Sequence, residues 1–174
     1  MNPGDRLTRD ALVAALRERG VGFFAPGDAT PASPPLTDGE LIEGLAASAD
    51  PRLRNALAIL LLRQPALGAH VPDVVGSAAE AVADVLRDRY TAAVYLQRMW
   101  RTRIGIYLPD APLLPDLFSA QLGLPLPDER FGLVGLHALS DRSTFNQYAS
   151  YETMVELLFD QLSAEWAHER TSAR

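Results

Sequence analysis

Five arginines crowd the stretch from 87 to 103: Arg87, Arg89, Arg98, Arg101 and Arg103, against the single acid Asp88. Tyr90, Tyr95 and Trp100 are interleaved with them. Guanidinium groups fork onto phosphates and carboxylates, and aromatic faces stack on bases or cations. The segment therefore has the chemistry to grip nucleic acid or an acidic protein surface. Wound as one helix, it places Arg87, Arg98 and Arg101 on the outer face. Arg89 and Arg103 instead fall in the apolar stripe of Val82, Val85, Leu86, Ala93, Leu96 and Trp100. A guanidinium buried there needs a partner. The expected one is a carboxylate from another helix; the sharper alternative is an acidic group arriving at an interface or pocket.

Arg52, Arg54 and Asn55 form a second set at the start of a helix, four residues after the preceding one ends. Helix, short turn, helix is also the plan of DNA-reading pairs, and these side chains suit phosphates and base edges. The helix is too apolar, however, to lie exposed in a groove. The stretch Asp50-Pro51-Arg52-Leu53-Arg54-Asn55-Ala56-Leu57 resembles one unit of a HEAT-type helical repeat, which implies a packed helical hairpin. A third set, Tyr151, Met154, Phe159 and Trp166, marks the last helix. Such a stripe packs on the parent core, or docks on a partner or a second copy.

Other chemistry is excluded by residue type or spacing. There is no cysteine, so thiol nucleophiles, disulfides and thiolate metal sites are out. All 16 basic residues are arginine, and without lysine there is no Walker-type phosphate loop, Schiff base or Ser-x-x-Lys pair. His70, His137 and His168 lie too far apart in sequence to share a helix face. His137, inside an apolar run, is weighed as a buried general base against a structural histidine, and the structural role is preferred. Glu80, Asp84 and Asp88 line one helix face but find no second carboxylate row to complete a metal site. No catalytic residue, metal or cofactor is assigned.

The elements that must position these residues are helical. Thr8 and Thr37 read as N-caps, with Glu40 completing a capping box; Asp50-Pro51 opens a third helix, and Gly20 closes the first. The core helix from Pro51 stops at Pro65, and the next periodic segment runs from Pro72 or Ser77 to about Ile104. A short helix is expected over 116–122, another over 129–139, and a last one capped by Ser150. Val21–Phe24 and Ile104–Leu108 are the only strand candidates. The expectation is an all-α, irregular orthogonal bundle of six or seven helices. It forms a single domain with residues 1–24 as a helical appendage, 37–174 as the main body, and Pro-rich surface connectors over 25–36 and 108–127.

A net charge of −6 disfavours broad polyanion binding. No apolar run approaches the ~20 residues of a membrane helix, and a cytoplasmic location is expected. The function expected first is a non-enzymatic interaction protein, an accessory or antitoxin-like subunit that meets another protein or its own copy. A nucleic-acid-binding regulator comes second, and an enzyme built on an arginine–carboxylate site third.

Overall fold

The computed structural model describes residues 7–24, 35–143 and 147–172. Its helices begin where their caps are written. The Thr8 hydroxyl accepts the Ala11 amide at 3.2 Å and opens α1 (Arg9–Glu18), which ends on Gly20 at φ +83°. Thr37 and Glu40 close a reciprocal capping box on α2 (Asp38–Ala47). Asp50 accepts the Arg52 amide at 2.9 Å ahead of α3 (Pro51–Arg63). A 3₁₀ turn, Pro65–His70, leads into α4 (Val71–Ser77). There follow α5 (Glu80–Met99), α6 (Arg101–Tyr107), a left-handed turn at Glu129–Gly132, α7 (Leu133–Asp141) and α8 (Gln147–Ser172).

The chain is an all-α bundle, with eight α-helices among the described residues. The apolar residues of α3 are buried around its whole circumference, and α3 packs on α2, α5 and α8. The longest contacts of α5 run along α2, α3, α4 and α7. Leu12, Val13, Leu16 and Val21 join the same apolar cluster, so α1 is built into the core. No helix of the described residues is long and apolar enough to cross a membrane. Most of the expected connector 25–36 lies outside the described residues.

Several expectations need correction. The periodic segment from 72 to 104 is three helices. Ala79 is extended (ψ 144°), and Trp100 turns aside at φ −104°, ψ 14°. The helical ladder continues past Trp100 through Ile104 N–H to its carbonyl at 2.8 Å. The deflection seats its indole edge-on against Phe159 of α8, centroids 5.7 Å apart. Helix α8 starts at Gln147, which puts Ser150 inside its first turns. The stretch 116–122 is a set of turns bounded by Pro115 and by Gly123 at φ +65°. Neither strand candidate forms one: 104–107 is helical and 21–23 is irregular. The 129–139 helix is split at Gly132, and His137 is exposed and stacked on Tyr148 at 4.4 Å.

Residues 108–127 form a strap laid over α5. Proline has no amide to donate, so a proline-rich segment near a core offers mainly carbonyls that need partners. One helix supplies them. Tyr90 donates to the Pro115 carbonyl at 2.9 Å, Tyr95 to Pro125 at 2.7 Å, and Gln97 Nε2 to Pro112 at 2.9 Å. Gln97 Oε1 in turn accepts the Leu114 amide at 2.7 Å, and Leu114 is buried. Burial pushes the Tyr90 and Tyr95 phenols up to about 12, which keeps them donors.

Candidate interaction surfaces

The kink at Trp100 and the strap divide the five clustered arginines among unrelated tasks. Arg87 is clamped by Glu80 at 2.8 Å and Asp84 at 2.7 Å, so two of the three periodic acids serve as its partners. Arg98 turns into the strap, donating to the Leu114 carbonyl at 3.1 Å and approaching Asp128 at 3.3 Å. Arg103 forks onto both oxygens of Glu156, at 2.8 and 3.0 Å, with its guanidinium 4.0 Å above the Phe159 ring. Arg101 is exposed and forms no ion pair with a described residue. The outer arginine face is thus not one surface.

Arg89 is only 8% exposed and is held by Gln147 Oε1 at 3.1 Å rather than by a carboxylate. Its Nε and the Tyr151 hydroxyl are both buried, and neither meets hydrogen-bond geometry with a partner among the described residues. Burial pushes Tyr151 up to about 12 against the pull of the Arg89 charge. Burial also raises the Asp88 carboxyl above its ordinary range, opposed by Arg142 and Arg89. Tyr151 is therefore a core residue, not a docking one.

Of the three residues expected to make contacts at the α2–α3 turn, Arg52 alone is exposed. Arg54 donates its Nε to the Ser48 carbonyl, and Asn55, 6% exposed, donates to Ser150 of α8 at 3.0 Å. Two of the three expected contact residues are thus tied to the protein itself.

The far end of α8 keeps its expected stripe. Met154, Leu158 and Leu162 are buried, while Trp166 stays 45% exposed, edge-on to Tyr107 at 6.3 Å and under Arg170 at 4.8 Å. Ile106 of α6 is also exposed. Trp100, Arg103 and Trp166 accordingly gather at the α6–α8 contact, with Trp166 outermost, while Arg101 is exposed at the start of α6.

The most exposed large apolar side chain among the described residues is one that residue pattern alone does not mark. Phe131 is 78% exposed, with Leu126 at 62% and Leu133 at 36% nearby in the chain. Arg130 and Phe131 both adopt left-handed backbone, at φ 45° and 57°, and Gly132 follows at φ 84°. Two consecutive bulky residues there cost roughly 1–3 kcal/mol each. Glycine spacing explains how the turn is held. A Cβ on Gly132 would stand 2.4 Å from the Tyr95 carbonyl oxygen, and one on Gly135 2.2 Å from the Tyr95 ring. The Gly132-x-x-Gly135 spacing is the one trace of this contact in the sequence.

Between α1 and α8 lies a groove of about 320 Å³ lined by Arg9, Phe23, Phe24, Arg52, Ser150, Thr153, Met154 and Leu157. The four α8 residues are spaced three and four apart, which makes them one helix face. Phe23 and Phe24 stack at 5.0 Å to form the opposite wall. Their segment is pinned: Gln161 accepts the Gly22 amide at 2.9 Å and donates to the Gly20 carbonyl at 3.0 Å. Gln64 donates to the Arg19 carbonyl at 2.9 Å.

Among the described residues, no three His, Asp or Glu side chains come together as a metal site. No family model matches the chain, and neither a curated protein nor a solved structure resembles it closely enough to lend it a function.

Proposed function

We propose that this chain is a non-enzymatic interaction protein, an accessory or regulatory subunit that docks on another protein through the apolar tip around Phe131. One observation carries the proposal: a phenylalanine held in solvent on left-handed backbone that two clamped glycines fix against α5. Folding selects against both the exposed ring and the strained turn. A protein surface that covers the ring would offset both costs, because rigid aromatic anchors supply much of an interface's energy. The absence of cysteine fits a cytoplasmic setting for this role.

The test is affinity capture with the intact protein and with Phe131→Ser and Leu126→Ser, each first shown to keep the parental melting temperature. A protein recovered by the parent and lost from both variants supports the proposal. Equal recovery by all three, or a captured species that nuclease removes, rejects it.

A further inference from the structure

The groove between α1 and α8 differs from the tip in being concave, pre-formed and edged by cations. Its floor is apolar: Met154 is 6% exposed, and Leu157, at 40%, lies on the same helix face one turn further on. Ser150 to Leu157 spans about 10 Å at 1.5 Å per residue, the length of two helical turns or of three extended residues. The Phe23–Phe24 wall cannot collapse onto this floor while Gln161 holds the backbone at Gly20 and Gly22.

The rim decides the occupant. On a protein of net charge −6, the charged side chains lining this groove are, among the described residues, both arginines, Arg9 and Arg52. Arg9 is partly neutralised by Asp50 at 3.5 Å and Asp10 at 3.7 Å. Arg52 is exposed and makes no ion pair with a described residue. Of the α8 acids on neighbouring positions, Glu156 is engaged elsewhere, with Arg103 at 2.8 Å. The Thr153 proton goes to the Ala149 carbonyl at 3.0 Å, leaving its lone pairs as acceptors for an incoming amide.

We propose that this groove takes a short acidic segment of a partner protein. One apolar anchor sits against Phe23, Phe24, Met154 and Leu157, and a neighbouring Asp or Glu pairs with Arg52. The proposal rests on the interaction role argued above but uses a different surface. Apolar contact provides the affinity, and the arginine rim selects acidic over basic sequences and sets register.

Selection of a random 12-residue display library on the intact protein tests it. The enriched peptides are expected to carry an aliphatic or aromatic residue flanked by Asp or Glu. Arg52→Glu then weakens them about tenfold, and the same peptides with Lys in place of their acids regain binding to that variant. Leu157→Ser weakens both peptide sets, whereas Arg101→Glu and Phe131→Ser leave them unchanged. No enrichment, enrichment of neutral or basic peptides, or affinity indifferent to both groove substitutions overturns the proposal. Peptides lost on Phe131→Ser but kept on Arg52→Glu also overturn it, while upholding the tip as a docking site.

Discussion

The strap and the tip are consecutive in the chain, both lean on α5, and both are fixed by Tyr95, yet Leu114 of the strap is buried while Phe131 of the tip, like the strap's own Leu113, Leu117 and Leu126, stays in solvent. The strap runs without regular structure and still buries Leu114 to 1% exposure, because Tyr90, Tyr95 and Gln97 satisfy the backbone it brings with it. A few residues later the backbone approaches even closer, through Gly132 and Gly135, and the result is an exposed Phe131. Close packing by itself therefore does not decide burial. In the strap, polar groups are matched so that one leucine, Leu114, can enter. At the tip, backbone strain is accepted and an apolar group is left outside. The first pattern is what stability alone produces; the second needs another reason.

Alkali should have the largest effect, because the strap hangs on tyrosine donors. The Tyr90 and Tyr95 phenols hold their protons to about pH 12 when folded, against about 10 ordinarily. Below pH 10 both states are protonated and the full stability is present. Between 10 and 12 the unfolded chain releases protons that the folded chain keeps, so stability falls as pH rises. Holding a proton that much more tightly is worth roughly 2–3 kcal/mol for each tyrosine. Urea midpoints taken across this range, with phenolate absorbance followed in parallel, should drop together. Buried Tyr151, also pushed up to about 12, adds to the loss. A midpoint that holds steady through pH 12 would mean that the strap's donors do not anchor it.

Next in size is Gly135→Ala. The added methyl would lie 2.2 Å from the Tyr95 ring, so α7 must move off α5 or Tyr95 must abandon Pro125. Overpacking of this kind costs on the order of 3 kcal/mol, and it should loosen strap and tip at once, read by denaturant unfolding. Gln97→Leu touches the strap alone. It strands the buried Leu114 amide, at about 1–3 kcal/mol, and releases the carbonyl of exposed Pro112 to water. Proteolysis should then begin within 108–127 while any protein captured through Phe131 is still bound.

These contrasts also show what was legible in residues alone. Caps depend on neighbours three or four positions away, so Thr8, Thr37 and Asp50 could be read directly. The buried stripe of α8 could be read for the same reason. Prolines marked 108–127 as a connector but not that the short helix expected over 116–122 would be turns, and its carbonyl partners sit 15 to 30 residues earlier, beyond any local rule. Arg103 depends on Glu156, 53 residues on, and its position relative to Arg89 depends on a kink that periodicity does not encode. The tip was least legible. Arg130 and Phe131 are not turn formers, and their left-handed backbone comes from the fit of Gly132 and Gly135 onto Tyr95. The groove joins α1, α3 and α8, and only tertiary packing makes its lining contiguous.

The smallest effect is the most discriminating, because its sign differs from the rest. Phe131→Gly removes an exposed ring and gives the backbone a residue at ease at φ 57°. Relief of the strained conformation should stabilise the protein by about 1 kcal/mol, less the entropy that glycine restores to the unfolded chain. Phe131→Ala removes the same ring and keeps the strain. With 78% of the side chain already in solvent, its stability should match the parent's. The difference between the two variants, measured by denaturant unfolding, isolates the backbone term, and the capture experiment on both isolates the ring. If both lose the partner and only the glycine variant gains stability, the phenylalanine is kept for binding at a cost to folding. If the glycine variant is no more stable than the alanine one, the turn stores no strain, and the tip loses its claim to be anything other than an exposed loop.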